Sequence, residues 1–194
     1  MCKLLMKSAY TFPIIKEGMK SAYLIKFEGI NMSDCLVNET LTALKKRLVN
    51  QEIEVQGERG FLYKVEFEFN PPASDSKIRE FEKNNNITLP VDYKQFLLMH
   101  NGAVLFEPWF GGGFELHSLW RIIDSKLEGM PEEWFPIGYQ DGGQLFIDTS
   151  VANENYLIWL DSSILEDAKY LNMNFEAWLD RFVVAQGAKF WEWE

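Results

Sequence analysis

The sequence predicts an α+β fold, and three observations carry that prediction. The segment "EIEVQGERGFLYKVEFEF" (52–69) alternates apolar and polar residues on both sides of a Gly57–Gly60 turn, as a β-hairpin does. Two segments, "SDSKIREFEKNNNITLPVDYKQFLLMHNG" (74–102) and "NFEAWLDRFVVAQG" (174–187), repeat apolar residues at helical spacing. Between them lie short apolar runs cut by glycine pairs and triplets, the texture of strands and turns.

Taken in order, residues 1–22 are expected to be a weakly structured tail. "MKSAY" occurs in it at 6–10 and recurs at 19–23, which leaves Met19 as an alternative start. Tyr23, Ile25 and Phe27 alternate as a strand, and Leu41, Leu44, Leu48 and Val49 follow a helical spacing with Asn38 or Thr40 available as cap. In the hairpin, Ile53, Val55, Tyr63, Val65, Phe67 and Phe69 form an apolar face. Lys64, Glu66 and Glu68 form a wet one. Pro71 and Pro72 end that strand, and Ser74, Asp75 and Ser76 are all suitable helix caps. The boundary falls here: a 1–22 tail, a 23–70 strand-helix-hairpin extension, and a main domain over 71–194.

Ile78 and Phe81 share one side of the next helix, which runs into Asn84–Asn86, residues that tolerate the left-handed conformation. Pro90 suits a first helical position, Tyr93, Phe96, Leu97 and His100 share a face, and Gly102 is expected to cap the C-terminus. "GGGFEL" (111–116), "DGGQLFID" (141–148) and "NYLIWLD" (155–161) read as strands and turns, and 115–123 as a strand leading into a short helix. The clearest helix buries Phe175, Trp178, Leu179, Phe182 and Val183, with Asn174 as cap and Gly187 as stop. The tail "KFWEWE" either docks on the sheet or projects from it.

Hydrophobic residues make up 47% of the 194, enough for a packed core and too many for disorder. The net charge is −10 and unevenly placed: residues 104–194 carry 16 acidic and 5 basic side chains, against 13 and 14 in residues 1–103. An acidic half repels phosphate backbones, which argues against nucleic-acid binding, and it favours a basic protein partner or simple solubility. Cys2 and Cys35 are too few for a disulfide framework or a zinc set, as expected of a cytoplasmic chain. The apolar N-terminal stretch is broken by Lys7, Ser8, Thr11 and Pro13, and no run is long enough to span a membrane.

Catalytic patterns are scarce. His100 and His117 stand 17 residues apart with no H-E-x-x-H spacing, and neither cysteine lies near a histidine. There is no G-x-S-x-G elbow and no G-K-[ST] loop, and Gly111–Gly113 and Gly142–Gly143 fit tight turns. A carboxylate-lined cleft would require two acids facing each other, which the many acids of the chain leave open. No cofactor and no metal are expected.

Residues 74–102 resemble the opening of the SUKH superfamily, of the Smi–Knr type, in which Ile78, Phe81, Glu82, Leu89, Pro90, Tyr93, Phe96, Leu97, Asn101 and Gly102 fill the motif. "FPIGYQDGGQLFIDT" (135–149) and "LNMNFEAWLDRFV" (171–183) resemble its later blocks, so the likeness covers about residues 70–185. Ala103, Gln144, Asn172 and Asn174 depart from the usual residues. The resemblance implies an α+β domain with a twisted, mainly antiparallel sheet flanked by helices. It also implies a role in protein–protein interaction. Most bacterial members look like immunity proteins that neutralise polymorphic toxins, often nucleases, whereas eukaryotic relatives look like adaptors in cell-wall regulation. Its motif residues are structural, so no catalytic residue carries over.

The function expected is therefore an immunity protein that binds a cognate, basic toxin domain in the cytoplasm, with a non-enzymatic adaptor as the alternative. Glu128, Glu132, Glu133, Asp141, Glu166 and Asp167 are the expected charge contacts. Trp109 and Trp134, in loop-like contexts, are the expected aromatic anchors.

Overall fold

Among the described residues, eight strands form one antiparallel sheet whose spatial order is the chain order. They are β1 (Glu52–Gln56), β2 (Leu62–Phe69), β3 (Ala103–Pro108), β4 (Phe114–Leu116), β5 (Trp134–Gln140), β6 (Gly143–Asp148), β7 (Leu157–Leu160) and β8 (Lys169–Tyr170). The helices are α1 (Leu36–Arg47), α2 (Asp75–Asn85), α3 (Val91–Met99), α4 (Leu119–Asp124) and α5 (Phe175–Val184). The computed structural model describes residues 35–151, 154–162 and 164–193; the expected tail over 1–22 and the strand at Tyr23, Ile25 and Phe27 lie outside them.

The β1–β2 hairpin belongs to the same sheet as the later strands, because β2 pairs with β3 through Val65 opposite Pro108 and Phe69 opposite Ala103. Prolines 71 and 72 then turn the chain away, and the Ser74 hydroxyl accepts from the Lys77 N–H to start α2. Asn86, at φ 52°, ends that helix in the left-handed region.

Helix α1 begins earlier than its spacing suggests. Cys35 is the residue at its N-cap, not Asn38 or Thr40, because the buried stripe runs Val37, Thr40, Leu41, Leu44. Leu48 and Val49 fall beyond its end, with Val49 exposed. Three details of α3 also differ. Pro90 is its N-cap rather than its first helical residue. His100 leaves the helix in extended conformation, so it does not share the Tyr93–Leu97 face; its Nδ1 donates to Asn70 O at 2.9 Å and its Nε2 lies against Lys45 Nζ. Gly102 is not the cap: at φ +95° it threads between Leu116 O and Ser118 N, each 2.9 Å from where a Cβ would stand.

All the helices contribute to a core on one face of the sheet. Val65, Phe67, Leu105, Phe114, Ile137, Leu145, Leu157 and Trp159 meet Leu41, Phe81, Phe96, Phe175, Trp178 and Phe182 there. The five residues of the α5 stripe are all buried, and Asn174 accepts from Ala177 N–H as its cap. The C-terminal tail docks in part: Trp191 packs on Trp159 and Trp178 at 5.0 and 5.9 Å, while Trp193 is exposed. Asp92, in the first turn of α3, ties this layer together. Its carboxylate accepts from Tyr93 N–H at 2.9 Å, Tyr156 hydroxyl at 2.5 Å and Glu176 N–H at 3.0 Å, and Tyr156 accepts in turn from Phe175 N–H.

The opposite face is divided. Over β6 and β7, Phe146, Ile158 and Leu160 form a second cluster covered by Met130, Trp134, Leu165 and Ala168. Over β2 to β5 no described residue covers that face. Its composition depends on a bulge in β3, where pairing shifts between Glu66 and Glu68. Strict alternation would turn Phe106 outward and Glu107 inward. Phe106 instead adopts φ 54°, both Leu105 and Phe106 point into the core, and the side-chain register is reset so that Glu107 faces out.

Candidate protein-interaction surface

The open face of β2–β5 is a shallow concavity of about 590 Å³. Alternation on β2 delivers Glu66 and Glu68 to it, the β3 bulge delivers Glu107, and the short strand β4 buries Phe114 and Leu116 while presenting Glu115. Tyr139 of β5 lies opposite Glu115, and Asp141 in the β5–β6 turn closes one end. Among the described residues that line this concavity there is no lysine or arginine. Arg121 stands just beyond it, with its guanidinium 3.4 Å from Glu115 and 3.0 Å from Asp124.

The geometry holds two of these acids in place. Glu107 accepts from Gly113 N–H at 2.7 Å, and a Cβ on Gly113 would stand 2.1 Å from that carboxylate, so the third residue of the glycine triplet must lack one. Asp141, at φ 47°, hangs over Gly112, whose own φ is +100°.

Exposed aromatics stand at both ends of the concavity. Trp109 is 88% exposed and packs edge-on against Phe110 at 5.4 Å in the β3–β4 loop. At the other end, beside Glu68 and Glu115, Trp120 is 70% exposed on α4. Trp120 and the four glutamates 66, 68, 107 and 115 are not among the contact residues expected from the sequence, which places Glu66 and Glu68 only on a wet strand face. The Trp120 position was readable: Leu119 and Ile122 are the buried pair of α4, which turns Trp120 and Ile123 outward.

The structure separates the expected contact residues into two groups. Asp141 lines the concavity, and Trp109 lies in the β3–β4 loop two residues beyond Glu107. Glu128, Glu132, Glu133, Glu166 and Asp167 are exposed on the segments that cover the second cluster, at the other end of β5, roughly 20 Å away for a strand of this length. Lys126 sits among the first three and donates to Glu132 O at 2.6 Å; burial lowers its ammonium pKa while Glu132 and Glu133 oppose that shift. Trp134 opens β5 instead of lying in a loop, half-buried against Phe146 at 5.9 Å and Tyr170 at 6.5 Å.

Neither histidine is arranged for proton transfer. His117 is buried with Nδ1 3.1 Å from Pro136 O, and burial lowers its pKa; burial and then the neighbouring Lys45 lower that of His100. Among the described residues no group of three or more His, Cys, Asp or Glu side chains is placed to hold a metal ion. No helix among them is long and apolar enough to cross a membrane.

Two relatives come from Bacillus subtilis (strain 168). "Uncharacterized protein YnaB" is 40% identical over 130 residues, covering 65% of this chain and 87% of the relative. "Uncharacterized protein YobM" is 38% identical over 133 residues, 62% of this chain and 71% of the relative. Residues 72–181, from the prolines before α2 into α5, match the profile described as the SMI1 / KNR4 family (SUKH-1), and the chain belongs to that family.

Proposed function

We propose that the protein is an immunity protein. It acts in the cytoplasm by binding, without catalysis, and neutralises a cognate toxin domain whose basic, phosphate-binding surface it occupies. The observation that carries this reading is the concave sheet face lined by Glu66, Glu68, Glu107, Glu115 and Asp141, with no basic side chain among the described residues that line it. Carboxylates held at strand spacing stand where the phosphates of a nucleic-acid substrate would lie on a nuclease. Trp109 and Trp120 at the two ends supply aromatic anchor area. Glu128, Glu132, Glu133, Glu166 and Asp167 serve as steering charges outside the contact, and Trp134 buttresses the segment that carries the first three.

The test is co-expression with the protein encoded beside it. Growth rescue and co-purification are the expected results, and failure of both removes the reading. In a complex so obtained, replacing Glu66, Glu68 and Glu115 together by lysine slows association by about tenfold or more at low salt. Replacing Glu132, Glu133 and Glu166 has a smaller effect that fades as salt rises. Unchanged kinetics in the first triple variant would move the interface elsewhere.

A further inference from the structure

We infer that the cavity where the β3–β4 loop meets the β5–β6 turn receives an arginine side chain of the partner protein; the inference rests on the binding mode proposed above. This cavity encloses about 510 Å³. Gln140 and Asp141 lie side by side on it. Gln140 is only 6% exposed. Its Nε2 donates to Gly112 O at 3.2 Å, which fixes the orientation of the amide, and its Oε1 is buried with no donor among the described residues. A buried acceptor left unpaired is destabilising until a donor reaches it. The Asp141 carboxylate beside it is exposed and accepts no hydrogen bond from any described residue.

The walls select among donors. Tyr63 and Phe110 stand with ring centroids 6.3 Å apart and planes tilted by 46°, and no lysine or arginine is among the described residues lining the cavity. A planar guanidinium matches this set: one edge pairs with Asp141, a further N–H reaches Gln140 Oε1, and the flat face lies against Phe110. An ammonium has no flat face for the ring and carries its charge at a point. An anion is repelled by Asp141, and an apolar group leaves Gln140 Oε1 unpaired. Tyr63, Val65 and Phe106 place the cavity on the core side of the sheet, and Gly112 and Asp141 line both it and the acidic face, so an arginine from a partner lying along β2–β5 reaches it around the β5–β6 turn.

The full chain is titrated with acetyl-glycyl-arginyl-glycinamide and with its lysine and citrulline counterparts, followed by amide NMR. The arginine peptide is expected to shift Gly111, Gly112 and the Gln140 side-chain amide saturably. The lysine peptide binds about tenfold more weakly, and the neutral citrulline peptide does not bind. Asp141→Asn and Phe110→Ala, both at exposed positions, each weaken the arginine peptide by about tenfold; Gln140→Met does the same where its amide spectrum shows the fold retained. Absence of saturable shifts, equal binding of the lysine or citrulline peptide, or full binding by the Asp141→Asn variant overturns the inference. The two proposals fail separately. A saturable arginine site without toxin capture leaves the cavity and removes the immunity role, and toxin capture without an arginine site does the reverse.

Discussion

Asp92 is a small residue whose loss the structure makes costly. Asp92→Ala removes the acceptor for three donors on two helices and a loop: Tyr93 N–H, Tyr156 hydroxyl and Glu176 N–H. The first of these lies at the start of α3, where water replaces the carboxylate at little cost. The Tyr156 hydroxyl is confined, and the Glu176 N–H is part-buried. Tyr156 is buried, burial and the adjacent Asp92 raise its pKa, and its hydroxyl keeps the proton that Asp92 accepts. Glu176 N–H belongs to the first turn of α5, and the Asn174 side chain is already committed to Ala177. Leaving two such donors unpaired costs about 1–3 kcal/mol each, so the substitution should destabilise by about 4 kcal/mol. At this chain length that lowers the melting temperature by roughly 8–16 °C. Urea unfolding of Asp92→Ala, Tyr156→Phe and the double variant measures it. The two single losses overlap, so the double variant should lose about 1 kcal/mol or more less than their sum. An Asp92→Ala loss below about 1 kcal/mol, or strict additivity, would refute the picture of a carboxylate clamping α3 to α5.

Other outcomes follow from the same contacts. His117 is neutral in its buried site and ordinary in the unfolded chain, so below about pH 6.5 the unfolded state binds the extra proton and stability falls as the pH drops, by up to about 1.4 kcal/mol per unit. His100 acts in the same direction, and His117→Asn should flatten the slope of urea midpoints between pH 6.5 and 5; an unchanged slope in both single Asn variants counts against it. Gly143→Ala places a Cβ 2.2 Å from Trp159 Cζ2 and should cost roughly 2–3 kcal/mol, read as a shifted midpoint with unchanged slope. Trp191→Ala should cost about 2 kcal/mol by uncovering Trp159 and Trp178, and stability equal to the parent chain would show the tail to be undocked. Trp120→Ser should leave stability within about 0.5 kcal/mol, because the ring is exposed, while weakening toxin capture.

Where local spacing decides structure, the sequence was legible. The α5 stripe, the Ser74 cap and the left-handed Asn86 follow from residues within a turn or two of each other. Strands β3 and β5 were hard to see for a physical reason. "AVLFEP" breaks alternation at a bulge that only the pairing with β2 explains. In β5, Pro136 and Gly138 are residues that usually interrupt strands, yet they flank a second register shift beside β6. The acidic face was hidden for a related reason: Glu66 and Glu68 meet Glu107 and Glu115 only through pairings between segments some forty residues apart. No period within either segment reports such a meeting. Selecting acids by loop context found Asp141 alone among the five.

The order of the sheet also bears on how the chain is made. Each strand pairs with its immediate predecessor, so every ladder from β1 to β8 is available as soon as its second strand leaves the ribosome. The helical layer obeys the opposite rule. Helix α1, near the start of the described chain, packs along α5, near its end, and Thr40 reaches Asp180 across 140 residues. A nascent sheet therefore waits with its apolar face open until Phe175–Val184 has been synthesised. Any product that stops short of that helix leaves exposed the apolar surface that Phe175, Trp178 and Phe182 cover, so closure of the core waits on α5.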